Sequence, residues 1–272
     1  ATLEGVGSWH DIGRNGVMHA LTSAGIMGLY TSISKLLPDP LRLRYRGHLC
    51  RDGKKVTMSD FAIRATSYAF NVPTILLLGT SMSAGKTTTG RRVCKELDRA
   101  GLFVVGAKLS GAGRYRDILS FLKTGAAAIF DFVDVGLPST VVPESVYRQA
   151  VRPLLNKIND LAPDFLVAEA GASPLEPYNG AAVMDELGDN IVCTILCASD
   201  PYAVVGVEKA FGLVPDLVTG PATQTSAAVE LVRKLTGLRG INIIDPTTKD
   251  EFREFLEEKL DVACSDQSKK IA

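Results

Sequence analysis

The sequence carries no net charge, no apolar run long enough to cross a membrane and no metal-binding pattern of cysteine or histidine. Its 272 residues include 30 basic and 30 acidic ones without a basic stripe, which argues against nucleic acid or an anionic membrane surface as a partner. No apolar run approaches the roughly 20 residues that span a bilayer. We therefore expect partners that are neither nucleic acid nor membrane.

Cysteine is scarce and follows no pattern. The five cysteines form no CxxC pair and the three histidines are scattered, so the sequence offers no zinc site. Cys193 and Cys197 flank an apolar run and are expected to be buried thiols, as suits a reducing cytoplasm. The chain begins at Ala1 without a signal-peptide pattern. Because it does not begin with Met, we expect a processed product or a segment of a longer protein.

The most informative stretch is residues 74–90, which read TILLLGTSMSAGKTTTG. A short apolar run predicts a strand buried on both faces, and three- and four-residue apolar spacing after Thr88 predicts a helix. Between them lies a loop of small residues that ends in Gly85, Lys86 and Thr87. Backbone N–H groups at such a helix start face an anion, Lys86 adds a positive charge, and the Thr87 hydroxyl can bind Mg²⁺.

The strict Walker A pattern requires Gly at position 80, where this chain has Thr80, with Gly79 one place earlier. The alternative interpretation is a turn rich in Ser and Gly that happens to contain Lys86. The strand before the loop and the helix after it favour a phosphate-binding loop. The residues predicted to bind nucleotide are Gly79, Thr80, Ser81, Met82, Ser83, Ala84, Gly85, Lys86, Thr87 and Thr88.

Beyond residue 72 the sequence alternates predicted strands and helices. This alternation predicts an α/β fold, a three-layer P-loop NTPase with a mostly parallel sheet. We expect this nucleotide-binding domain to span residues 72–260, with a strand at 241–244 near its end. Residues 261–272 are expected to form a loose polar tail.

Residues 1–71 predict a small N-terminal α+β subdomain beside the nucleotide site. Its expected elements are a helix within residues 17–34, a half-buried strand at 41–45 and a hairpin turn at Asp52 and Gly53 that leads to a strand at 55–58. Arg42, Arg44 and Arg46 share one face of the first strand. They could reach a phosphate or an acidic substrate, or simply form a solvated face.

Acidic residues at predicted strand ends are candidates for binding Mg²⁺, because ligands lie beyond the carboxyl ends of parallel strands. Glu169 ends the buried strand that begins near Phe165, so it is the predicted Walker B acid; the alternative is a salt-bridged strand end. Asp131 lies in an apolar segment with Asp134. We expect Asp131 to bind the metal together with Thr87 and Glu169, and a helix-cap role for either acid is the alternative.

The segment that follows the second strand of this region is predicted to hold the substrate. Lys108 emerges at the active edge, and Ser110 lies in a Gly-rich turn that allows close approach of an anion. Arg114 and Arg116 could clamp a carboxylate or phosphate through paired N–H donors, or could be ordinary surface residues.

These segments resemble the dethiobiotin synthetase group of P-loop proteins and its ligase and kinase relatives. That group has a G-T-D-x-x-x-G-K-T loop, which residues 79–87 follow except at Ser81, and a V-E-G-A-G-G segment similar to residues 168–173. A bacterial and archaeal P-loop family with G-T-D-C-x-x-G-K, A-D-F and I-E-G-Q-G-S segments is a closer resemblance, because residues 129–132 and 168–173 are similar to its last two segments.

These observations together predict an Mg²⁺- and ATP-dependent kinase or ligase that activates a small carboxylate-bearing metabolite. The expected catalytic residues are Lys86, Lys108 and Glu169, and a homodimer is the expected assembly. The alternative function is a nucleotide-dependent switch or assembly factor that acts on a protein partner. A third interpretation keeps the fold as a ligand carrier without catalysis.

Overall fold

The computed structural model describes residues 5–21, 26–36, 38–65, 68–171, 173–174 and 176–262. Within these ranges no helix is both long enough and apolar enough to traverse a lipid bilayer. Residues 263–272, which make up most of the predicted loose tail, lie outside the described residues.

The N-terminal region forms a four-stranded antiparallel sheet. Its strands, in the spatial order β1-β3-β2-β4, are β1 Gly5–Ser8, β2 Val17–Ala20, β3 Met27–Ile33 and β4 Arg42–Arg44. The helix predicted within residues 17–34 is therefore wrong. A Cβ at Gly28 would lie 2.7 Å from the Ser8 carbonyl oxygen, so glycine here permits close packing of two strands, whereas inside a helix it would cost about 1 kcal/mol.

The predicted half-buried strand at 41–45 is shorter and more open than expected. Leu41 is 67% exposed and Tyr45 42% exposed, and only Leu43 of the three apolar residues is partly buried. The predicted hairpin turn is confirmed: β5 Cys50–Arg51 pairs with β6 Lys54–Lys55 across Asp52 (φ +51°) and Gly53 (φ +74°). The strand predicted at 55–58 is wrong, because β6 ends at Lys55 and a 3-10 helix begins at Met58. Two consecutive positive φ angles match the twist of a two-residue hairpin turn.

The larger sheet has six strands, all parallel. In chain order they are β7 Thr74–Gly79, β8 Val104–Lys108, β9 Ala128–Asp131, β10 Phe165–Glu169, β11 Ile191–Cys197 and β12 Leu217–Thr219, and their spatial order is β12-β11-β7-β10-β8-β9. The strand that precedes the phosphate loop therefore lies between β10 and β11. Because all six run the same way, their carboxyl ends meet at one edge, where ligands bind in such sheets.

Helices cover both faces of the six-stranded sheet. They are α1 Lys86–Arg99, α2 Tyr115–Leu122, α3 Glu144–Asn159, α4 Gly180–Leu187, α5 Pro201–Phe211, α6 Ser226–Thr236 and α7 Lys249–Leu260. Alternate residues of β7 enter opposite cores: Ile75 packs with residues of α1, α2 and α7, whereas Leu76 packs with residues of α3, α4 and α6. The predicted three-layer α/β architecture is confirmed.

The strand predicted at 241–244 does not form. A single parallel bridge joins Val218 to Gly240, and Ile241 donates its N–H to the Val218 carbonyl at 3.0 Å before the chain turns away. Ile244 is 53% exposed. Ile241 and Ile243 are both buried in the core, so the apolar pattern here reflects two buried side chains of an irregular segment rather than a strand.

Cys193 and Cys197 are buried within this fold, as expected, and so is Cys94. Burial raises the pKa of the Cys94, Cys193 and Cys197 thiols to about 12. Such thiols are protonated and unreactive at neutral pH, so they act as small apolar residues.

Candidate functional site

The loop between β7 and α1 has the backbone shape of a phosphate-binding loop. It runs from Thr80 to Gly85, with positive φ at Ser83 (+62°) and Gly85 (+105°), and helix α1 begins directly at Lys86. The first N–H groups of a helix have no partner within the helix and attract an anion. This loop therefore presents donors to an anion at the carboxyl edge of the sheet.

Lys86 folds back over this loop. Its Nζ donates a hydrogen bond to the Ser81 carbonyl at 2.9 Å, and the residue is only 6% exposed. A Cβ at Gly79 would lie 2.5 Å from that Nζ, so a larger residue at the end of β7 would displace the Lys86 ammonium from its present position. Burial lowers the pKa of the Lys86 ammonium, and the nearby Glu169 carboxylate opposes that shift. Lys86 is thus a buried cation whose charge an incoming anion would stabilise.

Glu169 lies where the predicted Walker B acid should lie. It ends β10, next to β7 in the sheet, and the Thr87 hydroxyl donates to its Oε2 at 3.0 Å. Glu169 is 4% exposed. A hydroxyl and a carboxylate oxygen at this separation fit the oxygen ligands that Mg²⁺ prefers.

No group of three or more His, Cys, Asp or Glu side chains within the described ranges could hold a metal ion without further help. A magnesium ion here would take its remaining ligands from nucleotide phosphates and water, as Mg²⁺ commonly does. Thr87, Glu169 and the loop cradle are consistent with that arrangement.

Lys108 reaches the active edge, as predicted, but it has a partner that sequence reasoning missed. Its Nζ forms an ion pair with Asp117 Oδ2 at 2.7 Å, and the Lys108 side chain is 8% exposed. Asp117 lies in the first turn of α2. The position of this acid just after Arg114 and Arg116 in the sequence was the feature from which the ion pair could have been predicted. The pair connects the tip of β8 to α2.

Asp131 adopts the helix-cap role that was the alternative to metal binding. Its Oδ1 accepts a hydrogen bond from the Val133 N–H at 2.7 Å, and its own N–H donates to Asp134 Oδ2 at 2.8 Å. Burial raises the pKa of the Asp131 carboxyl, and the bond from Val133 opposes that shift. Asp131 pairs with Lys108 in the sheet, so β8 separates it from Glu169. The structure therefore does not bring the three predicted metal ligands together.

Ser110 does not face an open site either. It is fully buried, and its Oγ accepts a hydrogen bond from the Gly171 N–H at 3.0 Å. This bond ties the turn after β8 to the turn after β10. The structure thus gives Ser110 a structural contact in place of the predicted contact with substrate.

A cleft of about 770 Å³ opens beside β9 and the start of α2. Its lining residues are Gly113, Arg114, Tyr115, Arg116, Ile118, Ile129, Asp131, Val133 and Asp134. Within the described part of the chain neither Arg114 nor Arg116 forms an ion pair, so both guanidinium groups are available to an acidic ligand.

Thr80 fastens the other side of the phosphate loop, a contact that sequence reasoning missed. Its N–H donates to the Cys197 carbonyl at 3.0 Å, and its Oγ1 accepts from the Ser199 N–H at 2.9 Å. Ser199 in turn donates from Oγ to Asp200, which caps α5. Threonine at position 80, the departure from the strict motif, therefore joins the loop to the end of β11.

A buried strand, a phosphate loop, a Lys-Thr helix start and an acid on the neighbouring parallel strand are now all located. The chain has a P-loop NTPase fold. No protein-family model matches it, and no curated protein matches its sequence.

Solved structures with this fold are similar over much of their length. The signal recognition particle receptor FtsY from Elizabethkingia anophelis with GDP is 12% identical (TM-score 0.46; 75% of this chain and 68% of that chain covered). The cell division protein FtsY from Thermotoga maritima is 17% identical (TM-score 0.45; 75% and 74%). A ParA family ATPase from Chlorobium tepidum is 14% identical (TM-score 0.39; 68% and 92%).

Proposed function

We propose that this protein is an Mg²⁺-dependent nucleoside triphosphatase that works as a nucleotide-dependent switch on a protein partner. The observation that carries the proposal is the contact of the Thr87 hydroxyl with Glu169, 3.0 Å apart at the mouth of the loop that holds Lys86. The Glu169 carboxylate is buried at this edge. A triphosphate with its bound metal ion is a ligand that would contact both this carboxylate, through the metal, and Lys86, through the phosphates.

In the proposed complex the loop N–H groups and Lys86 hold the β- and γ-phosphates. Lys86 exchanges its bond to the Ser81 carbonyl for a bond to phosphate, which costs little because the loop keeps its own shape. Thr87 and Glu169 are the residues that would hold Mg²⁺. The ion would neutralise the negative charge of the phosphates.

The ion pair between Lys108 and Asp117 supports the switch. Lys108 lies between Glu169 and Asp131 in the sheet, and its partner Asp117 belongs to α2. A triphosphate at the neighbouring loop would compete with Asp117 for the Lys108 ammonium. The position of α2 would then depend on whether a γ-phosphate is present, which is the kind of two-state element a partner can sense.

A second candidate function is phosphoryl transfer to a small acid, the activity implied by the resemblance to dethiobiotin synthetase. The cleft beside α2 favours it, because Arg114 and Arg116 line that cleft and could hold a carboxylate. Lys108 would then stabilise charge on the transferred group. ATP is the proposed nucleotide for this reaction, and a homodimer is the proposed assembly for both candidates.

The decisive experiment measures binding and hydrolysis of ATP and GTP with Mg²⁺ by wild type, Lys86→Ala and Lys95→Ala. Lys95 lies on the same helix and is exposed, so its loss is a matched control. We expect Lys86→Ala to lose binding and hydrolysis and Lys95→Ala to keep both. A folded Lys86→Ala protein with unchanged affinity would refute the proposal.

The two candidates are then separated by products. Hydrolysis that no small acid stimulates, together with nucleotide-dependent dimerisation in light scattering, supports the switch. A phosphorylated acid that appears in step with nucleotide consumption supports the transferase. Loss of that product in Arg114→Ala would connect it to the cleft.

A further inference from the structure

The turn after β12 presses directly against the phosphate loop. Gly220 has φ +91° and ψ −160°, a conformation that side-chain-bearing residues rarely adopt. A Cβ at this position would run into the Ala84 carbonyl oxygen and would lie 3.0 Å from the Ala198 carbonyl oxygen. From the other side, a Cβ at Gly85 would lie 3.5 Å from the Gly220 Cα. Backbone therefore packs on backbone here.

This turn cannot retreat from the loop, because hydrogen bonds fasten it to the end of β11. The Ala198 N–H donates to the Thr219 carbonyl at 2.8 Å, and the Ala222 N–H donates to the Ala198 carbonyl at 3.0 Å. Thr219 and Ala222 are almost fully buried. Any atom added at Gly220 would consequently push on the phosphate loop, since the opposite side is fixed.

The loop is held at its other end as well. Thr80 bonds to the Cys197 carbonyl and to Ser199, which belong to the same connection after β11. Thr80, at the start of the loop, and Ala84 and Gly85, at its end, thus contact the same rigid part of the protein, which consists of the ends of β11 and β12. Such support is what keeps the N–H groups of a binding loop aimed at their ligand.

We propose that Gly220 is a positioning residue for the phosphate loop: it sets the place of Ala84 and Gly85 and so the affinity for the phosphate tail of a nucleotide. Gly220 acts through these residues and does not itself bind phosphate. This inference rests on the proposed nucleotide function.

The test compares Gly220→Ala with Gly237→Ala. Gly237 follows α6, also has positive φ (+74°), and has no atom within 4 Å of an added Cβ, so its substitution adds backbone strain without the clash. Affinity for ATP, GTP and tripolyphosphate is measured by competition against a fluorescent nucleotide. We expect Gly220→Ala to bind all three at least about tenfold more weakly, since a misplaced loop costs several donors at once, and Gly237→Ala to stay within about twofold of wild type.

Tripolyphosphate distinguishes positioning from contact with the base. A loss shared by tripolyphosphate supports the inference, because that ligand has only the phosphate tail. Weaker binding of the nucleotides with unchanged binding of tripolyphosphate would overturn it, and so would unchanged affinity for all three in a folded Gly220→Ala protein.

Two further measurements keep the inference testable. If Gly220→Ala does not fold, Pro221→Gly loosens the same turn without adding an atom. It should weaken binding of the nucleotides and of tripolyphosphate, and unchanged binding overturns the inference.

Hydrogen exchange of the peptide spanning residues 79–90 requires no ligand. It should be faster in Gly220→Ala than in Gly237→Ala, and equal rates overturn the inference. Failure of wild type to bind any nucleotide would overturn the proposed function, whereas the exchange rates would still decide the role of Gly220.

Discussion

Lys86 is the residue at which stability and binding oppose each other. Its ammonium is buried, with a hydrogen bond to Ser81 and a carboxylate nearby, and burial lowers its pKa below the ordinary 10.5. At neutral pH the charged side chain therefore costs folding free energy. This cost is relieved as the pH rises from the folded-state pKa to 10.5, because neither state is then protonated.

We predict that Lys86→Met abolishes nucleotide binding yet raises the free energy of unfolding by about 1–2 kcal/mol at pH 7, since methionine fills the same space without a charge. Urea unfolding at several pH values measures this, and the gain over wild type should shrink as the pH approaches 10.5. A variant less stable than wild type at pH 7 would contradict the prediction.

Glu169 provides a second prediction at the scale of one residue. Glu169→Gln keeps the shape of the side chain but removes the charge that faces Thr87. We expect hydrolysis and the Mg²⁺-dependent part of nucleotide affinity to fall about 10- to 100-fold, the usual effect of losing a metal-site carboxylate. In EDTA, the affinity of Glu169→Gln for nucleotide should equal that of wild type. Glu230→Gln, an exposed acid on α6, is the control and should behave as wild type.

Single residues were predictable from sequence where a motif fixes their neighbours. Lys86, Thr87 and Glu169 follow from a strand, a loop and a helix in the right order, so local patterns sufficed for Lys86 and Thr87, and the end of a buried strand sufficed for Glu169. The contact of Gly220 with Ala84 could not be predicted, because it joins residues far apart in sequence through backbone packing. The cap role of Asp131 was an open alternative that only the structure could select.

At the scale of elements, the Lys108–Asp117 pair connects β8 to α2. We predict that Asp117→Asn destabilises the nucleotide-free protein by about 1–3 kcal/mol, because a nearly buried ammonium loses its charged partner. The same change should raise affinity for triphosphate relative to diphosphate, since Lys108 is then available to the γ-phosphate. Thermal unfolding and competition binding measure the two effects. Asp189→Asn, which alters an exposed acid, should show neither.

Helices α3 and α4 are joined by a separate group of charges. The side chain of Glu186 is 4% exposed, and it accepts hydrogen bonds from Arg148 at 2.9 Å and from Arg152 at 2.8 Å. Burial would raise its pKa, but the hydrogen bonds from Arg152 and Arg148 outweigh burial and lower it below 4.5. A depressed pKa contributes stability above the ordinary value, and that stability is lost as the pH falls through the folded-state pKa.

We therefore predict that Glu186→Gln lowers the free energy of unfolding by about 1–2 kcal/mol at pH 7, because the two arginines lose their charged acceptor. Below pH 4.5 the difference from wild type should diminish. Urea unfolding from pH 7 downwards tests this, and a difference that grew on acidification would contradict it.

Helices and strands could be predicted where one pattern of apolar residues dominates, and the prediction failed where two patterns compete. β7, β8 and β10 read as largely apolar runs because both of their faces are buried, and all three were predicted as strands from the sequence. Residues 17–34 mix helical spacing with Gly28, and antiparallel pairing with β1 decided between helix and strand. Pairing partners of that kind are not visible in a local pattern.

At the scale of the whole molecule, ligand binding should stabilise the entire P-loop fold. A ligand that binds only the folded state at about 100 times its Kd adds about 2.7 kcal/mol. We predict a rise in melting temperature of several degrees with Mg²⁺ and the preferred nucleotide, and none for Lys86→Ala. Equal shifts in the two proteins would place nucleotide binding outside this loop.

The position of β7 in the six-stranded sheet has a consequence for synthesis. This strand is made early, yet its neighbours are β10 and β11, so residue 74 must wait to pair with residues 166 and 191. The N-terminal sheet, by contrast, has all its strands within residues 5–44 and can assemble as soon as they leave the ribosome. The nucleotide pocket therefore forms only after Cys197 and Gly220 have emerged, and nucleotide cannot assist folding of the growing chain before that point.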